Sequence, residues 1–167
     1  MSSLDGAYRL HRPEDIARLT ELAIEAFPEF GGRIECFGAD WAGRQFAIDF
    51  GRIDDGDPQV LLLEPGTGEA LEIPIGKRAF HEEELVQKPD AAVAQSFFKQ
   101  WLALGGERPN YNQCVGYKKP LDLGGADDVT NLELNDFDVY WTISAQLLAQ
   151  VRGRPVGTRI GDVSISD

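Results

Sequence analysis

The sequence predicts an α+β fold in which an antiparallel β-meander sheet is covered by helices and a smaller C-terminal α/β module packs on it. Short apolar segments separated by turn-forming residues lie between residues 33 and 73, and they predict the meander. Apolar residues at helical spacing on both sides of that region predict the helices. With 167 residues, the chain is long enough for one domain or for two small ones that share a core.

A helix is predicted on the N-terminal side of the meander. Pro13 stands near its first position, and the carboxylates of Glu14 and Asp15 complement the positive end of a helix. Pro28 ends this helix, and residues 1–11 are expected to form a loose lead-in. The expected buried stripe comprises Ile16, Leu19, Leu22, Ala23 and Ala26.

The predicted meander strands are bounded by turn-forming residues, among which the run from Pro65 to Gly68 is a clear turn signal. The run from Val60 to Leu63 is continuously apolar, so this strand is expected to be central and covered on both faces. The four strands are expected at 33–37, 44–50, 59–63 and 70–73.

The spacing of apolar residues becomes helical after residue 76. Residues 80–86 predict a short acidic helix, and residues 91–104 predict a second helix with a wide apolar stripe. The polar link over 107–112 predicts a boundary between an N-terminal domain, 1–106, and a C-terminal module, 107–167.

The C-terminal module is predicted to contain two short extended segments and a closing helix. The extended segments flank the turn-prone residues 123–128, and the helix is expected over 138–151 with Asp136 or Asp138 as its N-cap. Apolar and polar residues alternate, imperfectly, over residues 158–166, and this pattern predicts a final strand. The buried helix face predicted from the spacing comprises Val139, Ile143, Leu147 and Val151, with Tyr140 and Leu148 beside them.

Residues 115–132 carry the pattern V-G-Y-x-x-P-L-x-L-G-G followed by V-x-N-L, and the closing helix contains A-Q-L. This pattern is similar to the C-terminal domain of a bacterial immunity family, whose partner is a DNase toxin delivered by the type VI secretion system. That family places a GAD-like domain before this module, and residues 37–101 resemble it. The resemblance implies a non-catalytic toxin-binding protein. The matching residues are Gly116, Tyr117, Pro120, Leu121, Leu123, Gly124, Gly125, Asn131, Leu132, Ala145, Gln146 and Leu147.

The formal net charge of −12 limits the classes of partner. Nucleic acids and anionic membranes are disfavoured, because contacts with both need clustered Lys and Arg. A basic protein partner is favoured, because charge complementarity speeds encounter and disfavours wrong partners. The start of the chain lacks the pattern of a secretory signal, so a cytoplasmic protein is expected, with Cys36 and Cys114 as buried free thiols.

The sequence shows no catalytic or metal-binding motif. Its two histidines, His11 and His81, lack zinc-site spacing, and His81 is expected on the surface. Cys114 lies in an apolar context, where a thiol packs rather than reacts with His81. The acidic loops 54–57 and 127–128 lack the ligand spacing of a calcium loop. We therefore expect no metal and no cofactor.

Three functions remain open at this point. The first is an immunity protein that occludes the basic DNA-binding or active surface of a nuclease toxin. The alternatives are a small-substrate enzyme with a carboxylate-based site that includes Tyr117 or His81, and a SUKH-type immunity or scaffold protein. Tyr140 and Trp141 are adjacent on a helix, so one of them is a candidate exposed anchor. The candidate partner-binding residues are Asp54, Asp55, Asp57, Asp127, Asp128, Tyr140 and Trp141.

Overall fold

The computed structural model describes residues 2–119 and 121–152. A six-stranded antiparallel sheet has its strands in chain order, and a separate antiparallel pair follows. The sheet contains β1 (Ser2–Ser3), β2 (Tyr8–Leu10), β3 (Ile34–Asp40), β4 (Gln45–Asp54), β5 (Asp57–Glu64) and β6 (Glu69–Gly76), and the pair contains β7 (Gln113–Tyr117) and β8 (Leu132–Asp136). The predicted α+β class, with its meander and smaller C-terminal part, is confirmed.

Six α-helical segments accompany the sheets in the described part of the chain. A π-helical turn, Phe80–Glu84, joins α2 to α3 into one helical stretch, and 3₁₀ turns lie at Leu4–Gly6, Pro13–Asp15, Pro28–Phe30, Leu121–Leu123 and Val129–Asn131. None of the helices in the described ranges is long and apolar enough to cross a membrane. The helices are α1 (Ile16–Ala26), α2 (Lys77–Ala79), α3 (Leu85–Gln87), α4 (Pro89–Val93), α5 (Gln95–Ala103) and α6 (Phe137–Arg152).

Strand β5 is covered on both faces, as its continuous apolar run predicts. The residues from Val60 to Leu63 are 0–4% exposed. Leu61 and Leu63 enter one core, with α1 and α6, while Val60 and Leu62 enter the other, with the helices over 77–103. These alternating directions follow from the two-residue period of a strand.

The C-terminal strands contribute to both cores. Cys114 packs with Phe27 and Trp141 on the α1–α6 side of the sheet, whereas Val115 packs with Trp41 on the other side. The backbone N–H of Val115 also donates to the carbonyl of Trp41 at 2.7 Å. The domain boundary at 106/107 stays a prediction, and residues on both sides of it share these cores.

The N-terminal lead-in is more ordered than predicted. The expectation of a loose segment over 1–11 is wrong for the described residues, because β2 pairs with Gly38–Asp40 of β3. Ala7, Tyr8 and His11 are buried. Strand β2 has three residues, which is too short for an alternating pattern to identify it from sequence.

The predicted helix over 91–104 is interrupted. Ala94 adopts a left-handed conformation with φ 51° and ψ 48°, which separates α4 from α5. The Asp90 carboxylate accepts hydrogen bonds from the Ser96 N–H at 2.6 Å and the Ser96 hydroxyl at 2.7 Å. These bonds satisfy donors at the start of α5, as an N-cap does.

The closing helix α6 buries a different face from the predicted one. Val139 is 51% exposed and Ile143 is 37% exposed, so their assignment to the buried face is wrong. The buried residues are Phe137, Trp141, Ser144 and Ala145. The N-cap prediction is confirmed for Asp136, whose Oδ1 accepts from the N–H of Val139 at 2.9 Å. The predicted strand over 158–166 lies outside the described residues.

Candidate functional site

A cleft of about 290 Å³ opens where the end of the meander meets the C-terminal part of the chain. The meander supplies strand ends and the β5–β6 turn, the α4–α5 region supplies Ala94 and Phe97, and the C-terminal part supplies β7 and the loop over 121–132. A cleft formed between two structural units is a common location for a binding site. Its lining comprises Trp41, Ala42, Arg44, Glu64, Thr67, Glu69, Leu71, Ala94, Phe97, Val115, Tyr117, Leu121, Asp127 and Leu132.

A cluster of the buried Asp40 with the partly buried Arg44 and Glu64 forms one wall of this cleft. Arg44 Nε donates to Asp40 Oδ2 at 2.6 Å and lies 3.8 Å from Glu64 Oε2. Asp40 Oδ1 also accepts from the N–H groups of Ala42 and Arg44 at 3.0 and 3.1 Å, so Asp40 closes the turn that places Arg44. Burial raises the pKa of Asp40, and the Arg44 charge opposes that rise.

Glu64 is the least compensated member of the cluster. Its carboxylate accepts from the Gly66 N–H at 3.1 Å, and its side chain is 18% exposed at the cleft. Burial raises the pKa of Glu64 to about 7, and the nearby negative charge of Asp40 adds to the rise while Arg44 opposes it. A carboxylate that titrates near neutral pH in a cleft is a feature of functional sites as well as of structural ion networks.

Tyr117 and Tyr140 line the join between the meander and β7. The Tyr117 hydroxyl donates to Asp127 Oδ1 at 2.8 Å. Tyr140 is half-buried, and its ring lies so close to Gly116 that a Cβ there would be 2.4 Å from Tyr140 Cε1. A Cβ on Gly43 would also approach the ring, at 3.2 Å. A side chain at Gly116, one of the glycines of the sequence pattern, would therefore displace Tyr140.

Asn131 positions the loop that brings Asp127 to the cleft. Its Nδ2 donates to the carbonyls of Lys119 and Ala126 at 2.8 Å each, and its Oδ1 accepts from the Lys119 N–H at 3.0 Å. A Cβ on Gly125 would lie 1.9 Å from the Lys119 carbonyl oxygen. Two further residues of the pattern, Gly125 and Asn131, thus have a structural role that supports the site.

The two predicted acidic groups lie at opposite ends of β5. Asp127 and Asp128 are exposed at the cleft end, whereas Asp54, Asp55 and Asp57 are exposed at the β4–β5 hairpin. Strand β5 runs over eight residues from Asp57 to Glu64, and the seven steps between them, at about 3.3 Å each, place its ends roughly 23 Å apart. The structure therefore does not gather these carboxylates into one cluster.

Trp141 is not a surface anchor. It is 0% exposed, its Nε1 donates to the carbonyl of Gly43 at 2.7 Å, and its ring packs beside those of Phe27 and Phe137. The prediction that Trp141 binds a partner is therefore wrong, because the sheet covers the face of α6 that carries it. Tyr140 retains partial exposure beside the cleft.

The histidines are held by hydrogen bonds within the fold. His81 was expected on the surface, but it is half-buried, with Nε2 2.6 Å from the Tyr8 hydroxyl and Nδ1 2.9 Å from the carbonyl of Lys77. His11 Nε2 lies 2.9 Å from Gln45 Oε1, and burial lowers the pKa of His11 to about 4. Both His81 nitrogens are therefore engaged within the fold.

The thiols are buried and free, as predicted. Burial raises the pKa of Cys36 to about 12 and also raises the pKa of Cys114, so both remain protonated at neutral pH. Within the described ranges, no group of three or more His, Cys, Asp or Glu side chains could hold a metal ion.

The fold and the cleft define a small α+β protein with a polar site between the meander and the C-terminal strands. Residues 80–148 match the family described as T6SS immunity protein Tdi1, C-terminal. The resemblance recognised in the sequence is confirmed over these residues, and it supports an immunity role. Half of the cleft lining, from Ala94 to Leu132, falls within the matched segment.

The fold also occurs in a solved structure titled "Crystal structure of Atu4351 from Agrobacterium tumefaciens". The two chains are 17% identical, with a TM-score of 0.57 over 86% of this chain and 68% of the other. At this level of identity, the likeness shows a shared fold. No curated protein sequence gives a significant match.

Sequence reasoning identified Tyr117 and Asp127 but missed Asp40, Arg44 and Glu64. Charged residues at strand ends are usually solvated, so their types gave no sign of burial. The available signal was the position of Glu64, which directly follows the apolar run of a strand covered on both faces.

Proposed function

We propose that this chain is a non-catalytic immunity protein that binds a basic nuclease toxin in the cytoplasm and covers its DNA-binding or active surface. The observation that carries the proposal is the match of residues 80–148 to a type VI secretion immunity family. The mechanism is occlusion: the bound chain keeps DNA from the toxin and performs no chemistry itself.

The charge of the chain supports a nuclease as the partner. The sequence has 28 acidic and 16 basic residues. A nuclease must present cations to DNA phosphates, so its working surface is complementary to an acidic protein. Such complementarity raises the rate of association, and salt screens it over distances near 8–10 Å.

Two surfaces are candidates for the contact. One is the mouth of the cleft, with Asp127 and Asp128. The other is the β4–β5 hairpin, where Asp54, Asp55 and Asp57 lie near the exposed apolar side chains of Phe50 and Ile53. The Asp55–Gly56 turn has positive φ at both residues, 52° and 78°, as in the type I′ turns of tight hairpins.

A second candidate function, catalysis on a small molecule, is favoured by the convergence of Arg44, Glu64 and Tyr117 on one cleft. Against it, Arg44 is already neutralised by Asp40, and Tyr117 donates its hydroxyl to Asp127. Burial and Asp127 raise the pKa of Tyr117, so its hydroxyl stays protonated and makes a poor base at neutral pH.

The test is a DNA-cleavage assay with the purified nuclease toxin encoded beside the gene for this chain. We expect equimolar chain to abolish cleavage, and we expect the association rate to fall as ionic strength rises. Full cleavage in the presence of excess chain would reject the immunity function. An association rate that is insensitive to salt would reject its electrostatic part.

The hairpin surface is tested with Asp54→Asn/Asp55→Asn. The matched control is Glu21→Gln/Glu25→Gln, which removes the same charge from exposed positions on α1. If the hairpin contacts the toxin, its variant binds more slowly than the control. Equal association rates for the two variants would exclude the hairpin.

A further inference from the structure

The cleft combines apolar walls with an excess of negative charge. Phe97, Leu71 and Leu121 contribute apolar surface. Its carboxylates are Glu64, Glu69 and Asp127, with Asp40 buried behind them, and the cation among the described lining residues is Arg44. Among the described lining residues, three carboxylates therefore accompany one guanidinium, and the buried Asp40 pairs with that guanidinium.

The single guanidinium is already compensated. Arg44 Nε is 2.6 Å from Asp40 and 3.8 Å from Glu64, so these carboxylates balance its charge, while its buried Nη2 has no hydrogen-bond partner among the described residues. The remaining carboxylates, Glu69 and Asp127, are exposed at the mouth. The charge balance of the cleft therefore favours a cationic guest over a phosphate or a carboxylate.

The shape of the cleft suits a long side chain with an apolar stem. Leu71 is 45% exposed on β6, a strand that has no partner on its outer side among the described residues, and it forms an apolar rim beside Glu69. Lys and Arg side chains bury their methylene stems on apolar surface and keep their charged ends at polar groups. Aromatic rings such as Phe97 and Tyr117 add favourable contact with a cation.

We propose that this cleft receives a lysine or arginine side chain presented by the toxin, with Glu69 and Asp127 meeting its charge at the mouth and Glu64 deeper in the cleft. This proposal rests on the proposed immunity function and names the contact through which the toxin is held. The segment matched to the immunity family supplies Phe97, Tyr117 and Asp127 to this contact.

The ionisation of Glu64 provides a second signature of such a guest. Because the pKa of Glu64 is raised to about 7, a bound cation stabilises the ionised form and releases a proton near neutral pH. Affinity for the toxin is therefore expected to increase between pH 6 and pH 8. The titratable groups that interact with Glu64 are Arg44, Asp40, Glu69, Cys114, Tyr117 and Tyr140.

The test compares two double variants that remove the same charge. Glu69→Gln/Asp127→Asn alters the cleft mouth, and asparagine keeps an acceptor for Tyr117. Glu21→Gln/Glu25→Gln alters exposed positions on α1, which covers the opposite face of the sheet. Equilibrium binding to the nuclease toxin is measured for both, after thermal unfolding has shown that both are folded.

We expect the cleft variant to bind the toxin at least tenfold more weakly than the wild type, and the α1 variant to bind within about twofold of it. Equal weakening of the two would show that net charge alone matters, and it would overturn the proposal. An unchanged affinity of the cleft variant would overturn it as well.

A direct probe separates this proposal from the immunity function. N-acetyl-arginine-N-methylamide is titrated into the isotope-labelled chain, and backbone amide shifts are followed by NMR. We expect shifts at Glu69, Leu71 and Tyr117 in the wild type, and their loss in the cleft variant. If the wild type fails to inhibit the nuclease but shows these shifts, the immunity function fails and the cation site stands. If the wild type shows neither the shifts nor inhibition of the nuclease, both the cation site and the immunity function are rejected.

Discussion

The substitution Glu64→Gln tests the electrostatics of the cleft through the stability of the fold. Glutamine keeps an acceptor for the Gly66 N–H and removes the titration. Burial raises the pKa of Glu64 from 4.5 to about 7, so the folded wild type binds more protons than the unfolded chain between these pH values. The stability of the wild type is therefore expected to fall as pH rises from 4.5 to 7, and the variant lacks this loss.

The size of the effect follows from the shift in pKa. A difference of 2.5 between the two values corresponds to about 3 kcal/mol at pH 8, since each pKa unit is worth about 1.4 kcal/mol. This figure is an upper limit, because the side chain is 18% exposed and the variant forfeits its attraction to Arg44 at 3.8 Å. We expect a pH-dependent gain of about 1–3 kcal/mol.

The assay is urea unfolding of both proteins between pH 4.5 and pH 8. The informative quantity is the change of the stability difference with pH, because any packing effect of glutamine adds a constant. Glu69→Gln changes an exposed carboxylate at the same mouth and is the matched control. A stability difference between Glu64→Gln and wild type that stays constant across this range would refute the reasoning.

Two further predictions concern the supports of the cleft. Gly116→Ala places a methyl group 2.4 Å from the Tyr140 ring and should lower the free energy of unfolding by about 1–3 kcal/mol, measured by urea unfolding. His11→Asn should flatten the acid limb of the stability profile. Because burial lowers the pKa of His11 from 6.5 to about 4, the wild type loses on the order of 3 kcal/mol as pH falls from 6.5 to 4.

Each of these predictions has its own control. Gly31→Ala meets its nearest neighbour, the Pro28 carbonyl, at 3.3 Å, and should cost less than Gly116→Ala. Equal losses of stability in the two variants would show that the contact with Tyr140 does not cause the loss in Gly116→Ala. For His11, parallel profiles of wild type and variant below pH 6.5 would contradict the prediction. The profile of His11→Asn must be subtracted from that of the wild type, because the titration of Glu64 changes the free energy of unfolding in the opposite direction over an overlapping pH range.

The meander could be predicted because its signals are local. Strand β5 was recognised from its apolar run, and the turns on either side from Gly, Pro and Asp at the required positions. Asp136 was recognised as a candidate cap because capping needs a side chain within three residues of the N–H it accepts. Such signals survive in the sequence because the interacting groups are neighbours along the chain.

The candidate site depended on contacts distant in sequence. Tyr117 was identified with the C-terminal pattern and Asp127 as part of an acidic loop, but their relation to Arg44 appears only when the β5–β6 turn folds against β7. Glu64 lies 20 residues from Arg44 along the chain. Its carboxylate loses solvent only because the start of β4 and the end of β5 form the same wall of the cleft. Residue type alone indicates a solvated carboxylate at this position.

The sequence by itself determined the class of fold, the order of the four meander strands, the acidic character of the chain and its similarity to an immunity family. The tertiary structure decided which side of α6 is buried, because Val139 and Trp141 lie on different apolar faces and the sheet can cover just one. It also decided where negative charge converges. The burial of a side chain and its hydrogen-bond and ion-pair partners are properties of the folded chain, so neither can be assigned until the strands and helices have packed.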